Sequence, residues 1–258
     1  MLDRRVPVTP VPPELQGFHE GTRPPTRDTQ FPASIGFFRP QRCFEGSSQS
    51  DGRMTESIAS FPHARIAASA DIDDQADIGP GTVIWHLAQV REHAVLGRNC
   101  ILGRGAYIGP GVTVGHSCKI QNYALIYEPA CLEDGVFVGP AVVLTNDTFP
   151  RAVNVDGTPK TAEDWDAVGV LVRTGASIGA RSVCVAPLTI GRWSLVAAGA
   201  VVTRDVPDYA LVAGAPARRI GWVGRSGTPL KDEGGGRFVC PITGDGYFER
   251  DGALTEEQ

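Results

Sequence analysis

The sequence lacks several features, and each absence excludes a class of protein. No apolar run reaches about 18 residues, the length that a membrane-crossing helix needs. No apolar core of a secretory signal follows the N-terminus. The net charge of −5 gives no reason to expect nucleic acid or another polyanion as a partner. We therefore expect a cytoplasmic protein that binds neither membranes nor nucleic acid.

Apolar periodicity is also missing from residues 1–60, which are rich in proline and arginine. Such a composition cannot bury enough apolar surface to fold, so we predict a disordered tail. Met54 is the only methionine after Met1 and stands just before the first repeat. It is therefore a candidate start of translation, with residues 1–53 as an artefact of gene calling. A partner-binding tail is the functional alternative.

A period of six residues is the strongest pattern in the sequence. From Ile66 to Leu144 an aliphatic residue stands at every sixth position, a small or slim residue mostly follows four positions later, and glycine often follows directly. The period resumes at Val172 and continues to Val202. Because the separation of Leu144 and Val172 is not a multiple of six, we predict an insertion at 145–171 that projects from the repeats.

A fixed short period of this kind predicts a β-helix. Each hexad is a short strand plus a turn, three hexads close one triangular coil, and the aliphatic and small residues stack inward on those of the next coil. Parallel crossovers are normally right-handed, but the hexapeptide pattern resembles the left-handed β-helix acyltransferases. We therefore predict an all-β, left-handed parallel β-helix at 61–221 with a projecting loop, followed by a small β-hairpin appendage at 222–258.

The coil length allows outward side chains to be placed on a grid. Residues 18 apart lie on the same face of the coils, about 4.8 Å from each other. His86 and Asn122 then lie two coils apart on one row, and Glu128 and Asn146 stack directly on another row. Within 121–128 the repeat replaces its usual glycine with larger polar groups, and this departure from the pattern indicates the candidate site.

Each candidate also has an ordinary structural interpretation. An outward histidine on a solenoid, such as His86, is usually solvated surface. Asn122 could cap a turn or join an asparagine ladder, and Glu128 could be an ordinary charged corner. Trp85 is large, apolar and outward-facing, so it needs cover from a partner subunit or a ligand. These alternatives stay open at the level of the sequence.

One branch of the hexapeptide acyltransferases is similar to this chain over about residues 62–222. It comprises the bacterial N-acetyltransferases that acylate the 3-amino group of a UDP- or dTDP-linked amino sugar, such as the UDP-2-acetamido-3-amino-2,3-dideoxyglucuronate enzyme of surface polysaccharide synthesis. The motifs that carry the resemblance are Ile84-Trp-His86, Lys119-Ile-Gln-Asn122, Tyr127-Glu128, Leu132-Glu-Asp-Gly-Val-Phe-Val-Gly-Pro140, Thr145-Asn-Asp147 and Pro150-Arg151.

The resemblance implies an acetyl-CoA-dependent N-acetyltransferase that acts on a nucleotide-linked amino sugar, for surface glycans such as lipopolysaccharide or for deoxysugars. It implies a homotrimer with sites between neighbouring subunits. Asn122 would orient the amine or the thioester carbonyl, and His86 or Glu128 would take a proton. The other implied contacts are with the sugar nucleotide at Trp85, Gln121, Tyr127, Asn146, Asp147 and Arg151, and with acetyl-CoA at Ala198, Gly199, Arg204 and Arg218.

Two other functions on the same fold stay open. An O-acetyltransferase would share the coils and the acetyl donor, but many such enzymes take a histidine base from a subunit edge or loop. The insertion at 145–171 contains no histidine, which favours an amine as the acceptor. The second alternative is a non-catalytic structural solenoid. The polar cluster at 121–128 and the insertion argue against it.

A metal site is not expected. The six cysteines include no C-x-x-C pair, and the appendage resembles a zinc ribbon that retains only Cys240. A γ-class carbonic anhydrase has this fold but needs three histidines that converge on zinc from adjacent subunits. The spacings among His86, His93 and His116 do not match that requirement. We therefore predict acetyl-CoA as co-substrate and no metal.

Overall fold

The computed structural model describes residues 63–257, so the predicted tail at 1–60 and the candidate start at Met54 lie outside the described residues. Within 63–257 the chain is all-β apart from one 3-10 helix at Ala162–Asp164. No helix in this range is long and apolar enough to cross a membrane.

Most strands contain two residues, because each hexad places the rest of its residues in a turn. The coil strands are β1 (Arg65–Ile66), β2 (Asp71–Ile72), β3 (Asp77–Ile78), β4 (Val83–Ile84), β5 (Gln89–Val90), β6 (Val95–Leu96), β7 (Ile101–Leu102), β8 (Tyr107–Ile108), β9 (Thr113–Val114), β10 (Lys119–Ile120), β11 (Leu125–Ile126), β12 (Cys131–Leu132), β13 (Phe137–Val138), β14 (Val143–Leu144), β15 (Val170–Val172), β16 (Ser177–Ile178), β17 (Val183–Cys184), β18 (Leu188–Ile190), β19 (Leu195–Val196) and β20 (Val201–Val202). The later strands are β21 (Ala210–Ala213), β22 (Arg218–Trp222), β23 (Lys231–Gly234), β24 (Arg237–Val239), β25 (Gly246–Arg250) and β26 (Ala253–Glu256).

Three sheets form the faces of a left-handed triangular prism. Face A has nine strands in the order β1-β4-β7-β10-β13-β16-β19-β21-β22, and only its last pair is antiparallel. Face B has seven strands, β2-β5-β8-β11-β14-β17-β20, and face C has six, β18-β15-β12-β9-β6-β3. The chain turns at corner AB after each coil strand of face A, at corner BC after face B and at corner CA after face C. The predicted left-handed parallel β-helix is confirmed.

The strand register confirms the predicted coil length. Val83 pairs with Ile101, and Ile101 pairs with Lys119, so each coil advances the chain by three hexads. Across the insertion the step is longer, since Phe137 pairs with Ser177. Outward residues therefore keep their rows on both sides of the insertion.

The inward residues of the hexads form one continuous core. Stacked aliphatic side chains such as Leu102, Ile120 and Val138 are fully buried. Each side chain of this kind contributes about 1.5–3 kcal/mol when buried, so stacking of neighbouring coils is the main source of stability. Thr82 and Ser182 are also buried at inward positions, and their hydroxyls donate to backbone carbonyls at 2.9 and 3.0 Å.

The insertion leaves the prism after β14 and returns at β15. The predicted range 145–171 is slightly too long, because Val170 and Leu171 already pair within face C. The two ends of the loop stay close together, since the Val168 N–H donates to the Asn146 carbonyl at 3.1 Å. The loop thus projects from the side of the prism, and the strand pairing continues across it.

The appendage is larger than the predicted hairpin. Strands β23–β26 form a four-stranded antiparallel sheet in chain order. Glu256 of this sheet accepts a hydrogen bond from the Tyr209 hydroxyl at 2.9 Å and pairs with Arg225. Glu249 accepts from Trp222 Nε1 at 3.0 Å. These contacts attach the sheet to the end of the coils. The six-residue period could not predict them, because β23–β26 lie outside the repeats.

Candidate functional site

One row of outward side chains runs along corner AB, at the first turn position after each strand of face A. The strand register aligns these residues, about 4.8 Å apart from coil to coil. They are His86, Arg104, Asn122, Pro140, Ala180 and Ala198. Two candidate catalytic residues and one candidate acetyl-CoA contact therefore share a single row.

The first half of this row borders a concavity. Trp85, His86, Arg104 and Asn122 line about 280 Å³ of open space. The next half of the row has small side chains. Gln121, predicted to contact the substrate, is half-buried directly beside Asn122. The row thus has a polar concavity at its N-terminal end and small side chains, Pro140, Ala180 and Ala198, at its C-terminal end.

Asn122 is exposed at the C-terminal side of the concavity. Its Oδ1 accepts a hydrogen bond from the Arg104 backbone N–H at 2.9 Å, so the carboxamide does join the turn of the coil below, as the structural interpretation expects. Within 63–257 its Nδ2 has no hydrogen-bond partner. Fixing the oxygen orients the amide, and the NH₂ group remains available to a ligand.

His86 is exposed at the other end of the concavity. Its Nδ1 lies 2.9 Å from the Ser69 hydroxyl, in the coil below. Among the described residues its Nε2 has no partner. A ring held at one nitrogen and open at the other suits a group that exchanges a proton with a ligand.

Arg104 adds a cation to this concavity. Its Nε donates to the Tyr123 hydroxyl at 3.0 Å, and its terminal nitrogens have no further partner within the described chain. Trp85 is 42% exposed, and the Arg65 guanidinium lies over its ring at 4.8 Å. This cation–π contact covers one part of the indole and leaves the rest open.

The turns beside the row hold exposed apolar side chains on left-handed backbone. Leu87 and Tyr123 have φ angles of 61° and 59°, where non-glycine residues are uncommon, and their side chains are 52% and 53% exposed. Gly105 and Gly199 occupy the equivalent place in other coils. The positive φ angle recurs at turns throughout the coils, so the exposed apolar side chains, and not the backbone, distinguish Leu87 and Tyr123.

A second polar cluster lies on corner BC. Glu128 and Asn146 stack as the grid predicts, and Asn146 Nδ2 donates to Glu128 Oε1 at 3.3 Å. Glu128 Oε2 is buried and has no partner among the described residues. Gly109 makes room for it, since an added Cβ would stand 2.5 Å from Oε2. A carboxylate oxygen in this state requires a donor from a ligand, a water or a second chain.

Two tyrosines flank this carboxylate. The rings of Tyr107 and Tyr127 pack with centroids 5.3 Å apart and a tilt of 50°. Burial raises the pKa of Tyr107, and the charge of Glu128 raises it further, whereas Arg91 acts in the opposite direction. Tyr107 therefore stays protonated and able to donate at neutral pH.

The remaining predicted contacts lie in the loop and at the last coils. Asp147 Oδ1 accepts from the Phe149 N–H at 2.7 Å, which makes Asp147 a cap of a loop turn. Arg151 is exposed. Arg204 is exposed after β20, and Arg218 begins β22 with its guanidinium on the Ala217 carbonyl at 2.8 Å.

The three candidate catalytic residues do not converge within one chain. His86 and Asn122 lie on corner AB, and Glu128 lies on corner BC at the other edge of face B. The histidines are also dispersed, with His93 on corner BC and His116 on corner CA. Residues 63–257 contain no group of three His, Cys, Asp or Glu side chains that could hold a metal ion.

Three residues of these clusters belong to none of the predicted motifs. Arg104 is on the same row as His86, and the grid alone was enough to find it. Tyr107 is one coil from Leu125 on face B, but nothing in its hexad signals that the charge of Glu128 raises its pKa. Ser69 occupies an ordinary turn position, and only the side-chain geometry reveals its bond to the imidazole.

Parts of the sequence match known proteins. Residues 75–110 match the family described as bacterial transferase hexapeptide (six repeats), and residues 174–204 match the hexapeptide repeat of succinyl-transferase. A dTDP-3-amino-3,6-dideoxy-alpha-D-galactopyranose 3-N-acetyltransferase from Aneurinibacillus thermoaerophilus is 56% identical over 61 residues, which are 24% of this chain and 32% of that protein. A 2,3,4,5-tetrahydropyridine-2,6-dicarboxylate N-acetyltransferase from Brevibacillus brevis is 42% identical over 74 residues, 28% of this chain and 31% of that protein. The matches span about a third of the length of each relative.

Solved structures show a looser similarity. A mutant of AntD, an N-acyltransferase from Bacillus cereus in complex with dTDP and coenzyme A, has a TM-score of 0.41 at 18% identity, over 63% of this chain and 83% of that chain. A mutant of GDP-perosamine N-acetyl transferase from Caulobacter crescentus, in complex with CoA and GDP-perosamine, has a TM-score of 0.36 at 23% identity, over 61% and 56% of the two chains.

Proposed function

We propose that the protein is an N-acetyltransferase that transfers the acetyl group of acetyl-CoA to the amine of a nucleotide-linked amino sugar. The observation that carries the proposal is the row on corner AB, where exposed His86 and Asn122 border a concavity of about 280 Å³ and small side chains continue the line. The similarity to a dTDP-3-amino-sugar enzyme supports a UDP- or dTDP-linked 3-amino sugar as acceptor, for surface glycan such as lipopolysaccharide or for deoxysugars.

The same row suits an extended acyl donor. Pro140, Ala180 and Ala198 leave a smooth track, so a pantetheine arm can lie along corner AB with its thioester beside Asn122. Its nucleotide end then points toward the last coils. Gly199 with Arg204 and Arg218 would meet that end, and arginine suits the phosphates of CoA.

Acetyl transfer needs a neutral amine, a held thioester and a stabilised oxyanion. In this proposal the amine nitrogen attacks the thioester carbonyl carbon while Asn122 Nδ2 donates to the carbonyl oxygen. The tetrahedral intermediate collapses, the C–S bond breaks and the CoA thiolate leaves. His86 Nε2 accepts the proton of the amine and passes it to the thiolate. The products are the N-acetylated sugar nucleotide and CoA.

We further propose that the active protein is a homotrimer. Glu128 and Asn146 on corner BC can share a site with His86 and Asn122 on corner AB only when two copies of the chain meet. A closed ring of three copies brings the AB corner of each to the BC corner of the next. The exposed apolar side chains beside the row would then be covered.

In such a groove the sugar nucleotide would lie between the two corners, with the inserted loop as one wall. Trp85 would pack against it, and polar contacts would come from Gln121, Tyr127, Asn146, Asp147 and Arg151. Because acetyl-CoA is a cytoplasmic metabolite, we place the reaction in the cytoplasm.

The test is an acceptor panel. Purified protein is incubated with acetyl-CoA and UDP- and dTDP-linked 3-amino and 4-amino sugars, the matching hydroxyl sugars and tetrahydropyridine dicarboxylate, and free thiol is followed. We expect turnover with one amino sugar and a loss of at least about 100-fold in kcat for Asn122→Ala, the range of a positioned catalytic group.

Each other outcome has a definite meaning. Turnover with a hydroxyl sugar would assign an O-acetyltransferase, and turnover with the dicarboxylate would move the acceptor away from sugars. If no acceptor releases free thiol and calorimetry detects no acetyl-CoA binding, the proposed enzymatic function is wrong. The protein would then be a non-catalytic structural solenoid.

A further inference from the structure

We propose that Ser69 is a positioning residue that sets the tautomer of His86, so that the Nε2 lone pair faces the concavity on corner AB. This inference rests on the proposed N-acetyltransferase function. Its physical basis is a single contact between neighbouring coils, the 2.9 Å separation of the Ser69 hydroxyl and His86 Nδ1.

A neutral imidazole carries its proton on one ring nitrogen, and the hydrogen bond at the other nitrogen decides which one. If Nδ1–H donates to the Ser69 oxygen, Nε2 is unprotonated and can accept a proton from an amine. If Ser69 donates to Nδ1 instead, Nε2 carries the proton and cannot act as a base. Only the first arrangement supports the proton transfer that the reaction requires.

The surroundings of Ser69 allow it to act as an acceptor. Ser69 is exposed, so its own hydroxyl proton can bond to water when Nδ1–H donates to the oxygen. The Ser69 backbone carbonyl is engaged separately, since it accepts from the Leu87 N–H at 3.1 Å. That bond holds the two coils together at this turn, so the backbone segments that carry the hydroxyl and the imidazole stay adjacent.

The backbone bond also makes a clean variant possible. Ser69→Ala removes the hydroxyl and leaves the carbonyl bond to Leu87, so the turn is expected to keep its shape. Ser69→Thr retains a hydroxyl on the same atom position and should restore the function. Ser117→Ala is the matched control, because Ser117 is an exposed turn serine on corner CA, outside the candidate site.

Two measurements on the full chain test the proposal. Long-range ¹⁵N–¹H NMR of the imidazoles reports the tautomer directly, and the His86 signals are assigned from their loss in His86→Gln among the five histidines. We expect the Nδ1–H form in the wild type and in Ser69→Thr, and mainly the Nε2–H form in Ser69→Ala. Steady-state kinetics should show kcat reduced about tenfold in Ser69→Ala, with KM for acetyl-CoA unchanged, as a share of the general-base effect.

A wild-type protein with mainly Nε2–H, or a Ser69→Ala variant with an unchanged tautomer, would overturn the proposal. A tautomer shift without any change in kcat would equally overturn it, since Ser69 would then not serve the reaction. Absence of turnover in the wild type would contradict the proposed function alone, because the NMR result does not depend on catalysis.

Discussion

Asn122 keeps its orientation because the coil below has no side chain at the adjacent position. A Cβ on Gly103 would stand 2.5 Å from both the backbone nitrogen and the Oδ1 of Asn122. Real Cβ atoms do not approach other atoms so closely, so the glycine is a packing requirement of the candidate site. The same relation holds between Gly109 and Glu128 on corner BC. At both corners a glycine in one coil makes space for a polar group in the next.

Gly103→Ala should therefore damage both stability and activity. Forcing one extra carbon into a packed site costs about 1–3 kcal/mol, so the free energy of unfolding in denaturant titrations should fall by that amount. The displaced Asn122 amide should lower kcat at least about tenfold, because misplaced groups lose their orientation effect.

Gly221→Ala is the control for that substitution, because an added Cβ on Gly221 has no atom within 4 Å. It should change stability by less than about 0.5 kcal/mol. Equal effects of the two substitutions would refute the packing role assigned to Gly103.

At the scale of elements, the insertion is separable from the coils that carry it. Its ends are joined by the hydrogen bond from the Val168 N–H to the Asn146 carbonyl, and β14 and β15 keep the frame of the prism on either side. The loop therefore contributes little to the stack of hydrophobic residues that stabilises the fold. It lies instead beside Asn146 on corner BC, next to the candidate site.

Replacing residues 149–166 with two glycines should leave the melting temperature within a few degrees of the wild type, since long surface loops are nearly neutral for stability. We expect the variant to bind acetyl-CoA by calorimetry and to lose turnover of the sugar nucleotide. Retained turnover with an unchanged KM for the sugar would show that the loop is not a wall of the acceptor site.

The appendage is a second separable element, anchored by Glu249. The hydrogen bond from Trp222 Nε1 lowers the pKa of Glu249, and the Arg219 guanidinium at 3.0 Å lowers it further. A lowered pKa means that the anchor is fully present above the ordinary glutamate pKa of 4.5 and is lost as the pH falls below it.

Glu249→Gln should consequently lower the melting temperature at pH 7, and the effect should shrink as the pH falls below 4.5, because protonation then removes the same charge from the wild-type carboxylate. Thermal melts of both proteins across this range measure the difference. A gap that is independent of pH would show that charge plays no part in the anchor.

In the whole molecule, the two polar clusters lie on different corners of the prism, so the proposed site depends on how several chains assemble. His86 lies on corner AB and Glu128 on corner BC of the same prism, and a shared site requires two chains. In a ring of three copies each site combines the AB corner of one chain with the BC corner of the next. A variant with a defect on corner AB and a variant with a defect on corner BC can therefore form an intact site together, although each is inactive alone.

Co-expression of His86→Ala with Glu128→Gln should restore activity to about a quarter of the wild type, the share of sites with two intact corners in randomly mixed rings. Each variant alone should stay near background. Light scattering of the mixture should give the mass of three chains. Activity no greater than that of the separate variants would place each site within one chain.

The repeat from Ile66 to Val202 was enough to predict a parallel β-helix, because inward stacking depends on a local period that recurs in every hexad. The left hand of the helix came from the resemblance to known acyltransferases, since a period alone does not give handedness. The same period placed His86 and Asn122 on one row and Glu128 with Asn146 on another. These predictions needed only the coil length, which the strand register confirms. The roles assigned to the side chains remain predictions.

Only the tertiary structure reveals two kinds of feature: segments that depart from the six-residue period, and contacts between side-chain atoms. The bond between Ser69 and His86, the unpartnered oxygen of Glu128 and the anchor at Glu249 depend on rotamers and on contacts between distant segments. The four-stranded appendage likewise follows from long-range pairing rather than from any repeat. A period determines where each Cβ lies, whereas the final atoms of a side chain are placed by their neighbours in space.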